Sequence, residues 1–263
     1  MPNDWDKASQ LARQARSVVV LSGAGMSADS GVPTFRDAQS GLWERFKPEQ
    51  LATEDAFRSN PSMVWTWYVW RAVLVNSVEP HIGHNYIGAW QRYLAGIEGS
   101  LTVATQNVDD LHERGGAQKV LHLHGSLHQY HCLDCHKAAA FDPAHTGIRP
   151  DQQFHRDNVL SAVDCPHCDS GLLRPGVVWF GESLPEPAFQ TAIDALRKAD
   201  LVVVVGSSGL VQPSASLPFL GQDAGAAVLE INPTPTELSN KADVYLGSTA
   251  AMAIPEMLAG LLT

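Results

Sequence analysis

Short apolar runs, rich in β-branched residues and almost free of charge, recur along the chain and dominate its hydrophobic pattern. Runs of this kind predict strands that are buried on both faces of a parallel sheet. Segments with a helical spacing of apolar residues separate them, and this alternation predicts a doubly wound, Rossmann-like α/β fold. The predicted strands lie at 18–20, 100–105, 200–205, 226–231 and around 243–246. The predicted helices lie at 4–15, 61–76, 83–95, 187–198 and from Pro255 onward.

The helix that begins at Asn60 and Pro61 is apolar on nearly all sides, which predicts a core helix. Asn is a favoured N-cap residue, and Pro is favoured at the first helical position. Tyr68 and Arg71 lie on one face of this helix because residues three apart are neighbours. An arginine in so apolar a segment needs a partner. A phenol beside a guanidinium group therefore suggests a receptor for a carboxylate.

Glycine, hydroxyl or amide residues follow four of the predicted strands. Parallel strands bind ligands at their carboxyl ends, so these residues together outline one dinucleotide crevice. The first turn has the pattern G-A-G, and we expect the helix after it to offer free N–H groups to a phosphate. Asp109 and Asp110 are also suitable as helix caps, an alternative that stays open. The strand ends are Gly23-Ala24-Gly25, Gln106-Asn107-Val108-Asp109, Gly206-Ser207-Ser208 and Asn232-Pro233-Thr234.

Two histidines end the apolar run at 120–123. On a strand, His122 and His124 would point to the same face. Histidine titrates nearest to neutral pH, so a histidine at the sheet edge that carries the glycine turn is a candidate general base. On this argument His122 and His124 are both candidates.

The four cysteines form two C-x-x-C pairs, Cys132/Cys135 and Cys165/Cys168. Each short spacing allows one turn to present two thiolates, and two such turns supply the four ligands of a tetrahedral zinc ion. Disulfides and a redox pair are the alternatives. Four protein ligands close the coordination sphere, so the predicted zinc site is structural rather than catalytic.

Composition describes an ordinary globular protein, with 44% hydrophobic and 17% charged residues. The formal net charge of −10 argues against a nucleic-acid surface and favours cationic partners such as lysine-bearing peptides. No apolar run is long enough to span a bilayer, and the first residues lack the apolar core of a signal peptide. We therefore expect a cytoplasmic protein that binds neither nucleic acid nor membrane.

With these motifs in order, the sequence closely resembles the sirtuin family of NAD-dependent protein-lysine deacylases. The resemblance runs from residue 17 to about 250. It implies a Rossmann-like NAD-binding domain at 1–35, 78–127 and 172–263, and a smaller helical and zinc-binding domain at 36–77 and 128–171. The matching motifs are G-A-G-x-S (23–27), G-V-P-x-F-R (31–36), T-Q-N-x-D (105–109), H-x-H-G (122–125), both C-x-x-C pairs, V-V-W-F-G-E (177–182), G-S-S (206–208) and I-N (231–232).

The resemblance implies a role for each matching position. His124 would be the catalytic base, and the strand at 177–182 would pair with the substrate backbone. The implied cofactor-binding residues are Gly23, Ala24, Gly25, Ser27, Phe35, Arg36, Trp43, Gln106, Asn107, Asp109, Gly206, Ser207, Ser208, Asn232, Pro233, Thr234 and Ala250. The implied substrate-binding residues are Tyr68, Arg71, Val178, Trp179, Phe180 and Gly181.

The implied reaction transfers an acyl group from lysine to ADP-ribose, consumes NAD as a co-substrate and releases nicotinamide. Tyr68 and Arg71 match a pair that recognises succinyl and malonyl groups in one sirtuin branch, so we expect acidic acyl-lysines as substrates, with acetyl-lysine also accepted. The expected partners are acylated lysines in proteins, and the expected state is a monomer. The alternatives are a protein ADP-ribosyltransferase, a non-catalytic NAD-binding zinc module and an NAD dehydrogenase. A dehydrogenase would leave both C-x-x-C pairs unexplained.

Overall fold

The computed structural model describes residues 3–34, 50–151 and 159–262. The helices are α1 (Asp4–Gln14), α2 (Gly25–Ala28), α3 (Glu54–Ser59), α4 (Pro61–Ser77), α5 (Ile82–Gly96), α6 (Leu111–Arg114), α7 (Glu186–Leu196), α8 (Leu217–Asp223) and α9 (Ala250–Met257). The strands are β1 (Ser17–Ser22), β2 (Ser100–Thr105), β3 (Leu121–His122), β4 (Gly125–Cys132), β5 (Leu173–Val177), β6 (Leu201–Val205), β7 (Ala227–Ile231) and β8 (Val244–Leu246). Short 3₁₀ helices lie at Pro143–Thr146 and Ser214–Ser216.

Six parallel strands form one sheet in the order β3-β2-β1-β6-β7-β8. This is the doubly wound order in which the chain starts at the centre, runs to one edge and returns to build the other half. The order reverses between β1 and β6, whose residues pair from Val18 with Leu201 to Ser22 with Val205. Ligands of such sheets bind outside the carboxyl ends of the strands at this reversal. The predicted α/β fold class is confirmed.

Both faces of the sheet are covered, which explains why its strands are apolar without alternation. In β1, Val18 and Val20 pack in the cluster that includes residues of α1, α5 and α9. Val19 and Leu21 pack in the opposite cluster, which includes residues of α7 and α8. All four of these side chains are almost completely buried.

Contacts divide the chain into two compact units. The first unit contains the six-stranded sheet and comprises 1–34, 79–123 and 185–263; the second comprises 35–78 and 124–184. The predicted division instead places 124–127 and 172–184 with the sheet. These segments lie in the second unit because β4 and β5 pair with each other as an antiparallel ribbon, with Cys132 opposite Leu173.

The second unit is built around α4. The Asn60 side chain accepts a hydrogen bond from Met63 N, and Pro61 occupies the first turn, as the sequence predicts. The Trp65 ring contacts Tyr130 edge-on at 5.7 Å between centroids, which joins α4 to β4. Trp67 is 2% exposed. The predicted core helix is confirmed.

Three details of the predicted elements are wrong. β3 ends at His122 and β4 begins at Gly125, so His122 and His124 do not share a strand. The helix placed from Pro255 onward begins at Ala250, and Pro255 lies inside it. The predicted strand at 177–182 ends at Val177, and the residues after it are irregular.

The chain leaves the sheet at 123–124 because the turn there precedes Gly125, which has a φ of 75°.

In the part of the chain that the structure describes, no helix is long and apolar enough to cross a bilayer.

Candidate functional site

The carboxyl ends of the central strands are joined by backbone hydrogen bonds into one edge of the first unit. Gly23 N donates to Val205 O at 3.0 Å, and Gln106 N donates to Ser22 O at 2.9 Å. Gly206 N donates to Ile231 O at 2.9 Å. The residues that follow β1, β2, β6 and β7 are therefore brought together, as the sequence predicts for a dinucleotide crevice.

The glycines at this edge allow two loops to touch. A Cβ on Gly25 would lie 2.7 Å from Gly206 Cα, and a Cβ on Gly206 would overlap Met26 N. Gly206 also has a φ of 61°, which disfavours residues with a side chain. The amides of Gly25 and Ser27 donate to Gly206 O and Ala24 O, at 2.9 and 3.1 Å. The sequence predicts free amides at this helix start, and for these two residues that prediction is wrong.

A buried polar network connects the first and second strand ends. Asn107 Nδ2 donates to Ser27 Oγ at 2.9 Å, and Ser27 Oγ donates to Asp109 Oδ2 at 2.9 Å. Asp109 Oδ1 also accepts from Leu111 N at 3.2 Å. Asp109 thus belongs to the network and also accepts the N–H of the first residue of α6, whose N-cap position is occupied by Asp110. Buried polar groups that satisfy one another hold a single conformation.

The other half of the edge is held by Ser207. Gln106 Nε2 donates to Ser207 Oγ at 3.2 Å, and Asn232 Nδ2 donates to Ser207 O at 2.8 Å. Gln106 and Ser207 also line a cavity of about 230 Å³. Pro233 and Thr234 lie on the exposed turn after β7. Ser208 is half-buried, and Ala250 is buried at the start of α9.

Behind this edge lies a row of histidines that sequence reasoning missed. The rings of His81 and His84 are 4.2 Å apart, and those of His84 and His112 are 5.1 Å apart. His112 Nε2 lies 2.8 Å from Ser22 Oγ. Burial lowers the pKa of His84 to about 2 and that of His112 to about 4, so both are neutral at physiological pH. In the sequence, only His112 lies close to a predicted strand end, whereas His81 and His84 lie at the start of the helix predicted at 83–95.

His124 lies in the second unit, in the turn before β4. Its carbonyl accepts the N–H of Val178 at 2.9 Å, and its side chain is half-buried. A Cβ on the next residue, Gly125, would overlap the Gly176 carbonyl oxygen. The backbone around His124 is therefore held by contacts that do not use its imidazole.

The segment after β5 has amides that are already bonded within the chain. Trp179 N donates to Glu182 Oε2 at 2.7 Å, and Phe180 N donates to Ala52 O at 2.8 Å. Phe180 is 53% exposed, and Gly181 is also exposed. These two amides are therefore not available to a substrate backbone, which could bond only to carbonyl groups here. The continuous strand that the sequence predicts would have offered both.

Tyr68 lies against this segment within the second unit. Trp179 Nε1 donates to Tyr68 Oη at 2.9 Å, and the Tyr68 side chain is 5% exposed. An indole N–H only donates, so the phenol oxygen is the acceptor and its own proton remains available. Burial raises the pKa of Tyr68 more than the charge of Arg71 lowers it, so the phenol stays protonated. Arg71 follows one turn later, with its guanidinium carbon 5.1 Å from the centre of the Trp67 ring.

A buried ion pair that the sequence reasoning missed supports Trp179. Arg174 forms hydrogen bonds with both carboxylate oxygens of Glu182, and its guanidinium carbon lies 3.5 Å from the centre of the Trp179 ring. Burial raises the pKa of Glu182, but hydrogen bonds from Arg174 and Trp179 N outweigh it and lower the pKa. The signal was present, because Arg174 is another arginine in an apolar segment, as Arg71 is.

The four cysteines come together in the second unit, with all four Sγ atoms within 4.8 Å of one another. The pairs Cys132–Cys168 and Cys135–Cys165 are each 3.7 Å apart. Four sulfurs at the Zn–S distance of about 2.3 Å in a tetrahedron are about 3.8 Å apart, so the cluster fits zinc. Burial raises the pKa of Cys132, but N–H donors from Cys135 and Asp134 outweigh it and lower the pKa to about 7.

We expect a Cys132→Ser variant to lose zinc and to unfold at a lower temperature than the wild type, because structural zinc contributes directly to folding. Zinc content and calorimetric Tm measure the effect, with one ion expected per wild-type chain. His167→Ala serves as the control, since that ring instead contacts Ala138 O at 3.0 Å. A Cys132→Ser protein with full zinc content and unchanged Tm would contradict the assignment.

Comparison with known proteins identifies the family. A family model described as Sir2 family matches residues 23–213. The chain belongs to the Sir2 family. A relative in Mycobacterium leprae (strain TN), named NAD-dependent protein deacylase, is 48% identical over 242 residues, which cover 92% of this chain and 96% of that protein.

Solved Sir2 structures are also similar. A Sir2 homologue in complex with NAD is 37% identical, with a TM-score of 0.84, and the match covers 98% of this chain and 94% of that one. A Sir2 protein bound to a myristoylated histone peptide is 30% identical, with a TM-score of 0.73, and the match covers 98% of this chain and 96% of that one. Both relatives match this chain over nearly its whole length.

The strand edge fits the NAD that Sir2 proteins bind. The sheet reverses its order there, the Gly25 and Gly206 loops are in contact, and a satisfied polar network connects Asn107 to Ser27. Three other predicted cofactor-binding residues lie outside the described residues. They are Phe35, Arg36 and Trp43.

Proposed function

We propose that this Sir2 protein is an NAD-dependent protein-lysine deacylase that prefers acidic acyl groups such as succinyl and malonyl. The observation that carries the acyl preference is the hydrogen bond from Trp179 Nε1 to Tyr68 Oη. It leaves the phenol proton available beside the Arg71 guanidinium, and a carboxylate accepts from both groups. An acetyl group offers no charge to either.

The NAD-binding role is proposed for the edge residues Gly23, Ala24, Gly25, Ser27, Gln106, Asn107, Asp109, Gly206, Ser207, Ser208, Asn232, Pro233, Thr234 and Ala250, with Phe35, Arg36 and Trp43 from the resemblance alone. When bound, NAD supplies the ADP-ribosyl group that accepts the acyl group. The glycines permit close approach of the backbone, and the Asn107–Ser27–Asp109 network keeps polar side chains at the second strand end in one conformation.

His124 is proposed as the base that removes a proton from a ribose hydroxyl group. What supports this role is a half-buried imidazole on a backbone that other contacts hold in place. Substrate contacts are proposed for Val178, Trp179, Phe180 and Gly181. The exposed Phe180 ring offers apolar surface to the stem of the acylated lysine.

One experiment tests the function and the acyl preference together. We expect kcat/KM with NAD to be roughly tenfold or more higher for succinyl-lysine and malonyl-lysine than for acetyl-lysine on one peptide, since hydrogen bonds to charged groups are the stronger ones. Release of nicotinamide measures turnover. Equal values for the three acyl groups would exclude the preference, and no turnover with any of them would exclude the deacylase function.

The products of the same reaction distinguish a deacylase from an ADP-ribosyltransferase and from a dehydrogenase. NAD labelled in its adenosine half should give a labelled small molecule that carries the acyl group. Label that stays on the protein substrate would instead indicate an ADP-ribosyltransferase. Formation of NADH, seen by its absorbance, would indicate a dehydrogenase.

A further inference from the structure

The His122 ring bridges two acceptors at the end of β3. Its Nε2 lies 2.7 Å from Glu113 Oε1, and its Nδ1 lies 3.3 Å from the carbonyl oxygen of Asn107. A carbonyl and an ionised carboxylate accept hydrogen bonds but donate none. A neutral imidazole has only one N–H, so the two contacts are satisfied together only when both ring nitrogens carry protons. The geometry therefore selects the imidazolium form.

The acceptor on one side, Asn107, is a member of the edge network. Its backbone N–H donates to Thr105 Oγ1 at 3.0 Å, its side chain donates to Ser27 Oγ at 2.9 Å, and its carbonyl faces His122. These three contacts hold Asn107 from β2, from α2 and from β3. Of the three, the contact with His122 is the one whose donor can lose its proton near neutral pH.

We propose that His122 is a positioning residue for NAD: its imidazolium form, held by Glu113, fixes the loop at 106–109 in the conformation that binds the nicotinamide half. This inference rests on the NAD site of the proposed function. His122 acts through Asn107 and does not touch the reacting atoms. Loss of its proton releases the Asn107 carbonyl and weakens NAD binding.

The charges around His122 favour this form. Burial lowers its pKa, but the hydrogen bond and the charge of Glu113, the Asn107 carbonyl and the charge of Asp109 outweigh burial and raise the pKa above 6.5. His112 is buried and neutral, and α7, which also packs against β3, contributes Phe189 to the apolar cluster against which Leu121 of β3 also packs. Because the pKa is raised, the imidazolium persists to higher pH than that of an unperturbed histidine and is lost as the pH rises through the raised value.

The test measures the Kd of NAD by calorimetry on the full, zinc-loaded chain from about pH 6 to about pH 9. For the wild type we expect Kd to rise roughly tenfold across this range, because one hydrogen bond from a charged donor is lost. Glu113→Gln keeps the acceptor oxygen but removes the charge, so the rise should begin at lower pH. His122→Gln should show the weak binding at every pH and a flat profile.

Controls separate positioning from a general loss of structure. His145→Gln removes a histidine that pairs with Asp142 at 3.1 Å on the exposed surface, and it should keep the wild-type profile. ADP-ribose, which lacks nicotinamide, should bind with little pH dependence. If the His122→Gln profile parallels the wild type, or if Glu113→Gln leaves the midpoint unchanged, the inference is wrong.

The outcome is independent of the acyl chemistry. If the NAD profiles are as predicted but no deacylation is seen, the role of His122 is supported and the proposed function is contradicted. If deacylation is seen but the Kd of NAD does not depend on pH, the proposed function is supported and the role of His122 is contradicted. If His122→Gln does not fold, the wild-type and Glu113→Gln profiles still decide, since both keep the imidazole.

Discussion

Replacing His124 with alanine is expected to lower kcat for deacylation by about 10³-fold, the usual contribution of a general base. The variant should remain folded, because one hydrogen bond that holds this position joins two backbone groups, the His124 carbonyl and the Val178 N–H, at 2.9 Å. Alanine keeps that carbonyl. The measurement is nicotinamide release under saturating NAD and acyl peptide, together with Tm and the Kd of NAD.

His128→Ala is the matched control, since that histidine lies on β4 with an exposed side chain. It should retain wild-type turnover. Full activity in a folded His124→Ala protein would remove His124 from the mechanism. A large loss of Tm in that variant would instead show that the imidazole has a structural role.

The Arg71→Met variant is expected to raise KM for succinyl-lysine by roughly 10- to 100-fold, with little change for acetyl-lysine, since it removes a charged donor to the acyl carboxylate. Tyr68→Phe should act in the same direction, because it removes the donor proton and keeps the ring. Steady-state kinetics on both peptides provide the measurement. The exposed Arg58, paired with Glu54 at 2.7 Å, offers Arg58→Met as a control of equal charge change.

A uniform effect would contradict the pocket. If Arg71→Met weakens succinyl-lysine and acetyl-lysine equally, Arg71 supports the fold of α4 rather than acyl recognition. If Tyr68→Phe leaves the ratio of KM for succinyl-lysine to KM for acetyl-lysine unchanged, the phenol proton that Trp179 Nε1 leaves available is not used in acyl recognition.

The sheet could be predicted because local pattern determines it. β1 and β6 are short, apolar and β-branched, and only strands buried on both faces suit such residues. The zinc cluster was predictable for a similar reason, since a C-x-x-C spacing brings two sulfurs together within one turn. In both cases residues close in the chain carry the decisive information.

The details that the sequence misplaced depend on residues far apart. The sequence pattern places His122 and His124 on one strand. In the structure, β4 instead pairs with β5, where Gly125 packs against Gly176, which is 51 positions later. The Arg174–Glu182 pair is a different case: its residues are only eight positions apart, but the choice of Glu182 as partner and the contact with Trp179 depend on burial, which the sequence does not show. The Gly25 amide is occupied because Gly206, which follows β6 and is distant in the chain, supplies its acceptor.

Gly171 sets a limit on which related sequences can keep the metal. A Cβ at this position would overlap Cys132 Sγ and lie 2.9 Å from Cys168 Sγ. Even alanine would therefore compete for the space that two of the four sulfurs occupy, although Gly171 supplies no ligand itself. A homologue or designed variant with all four cysteines but a larger residue here should not be assumed to bind zinc, so the useful signature of this site has five residues rather than four.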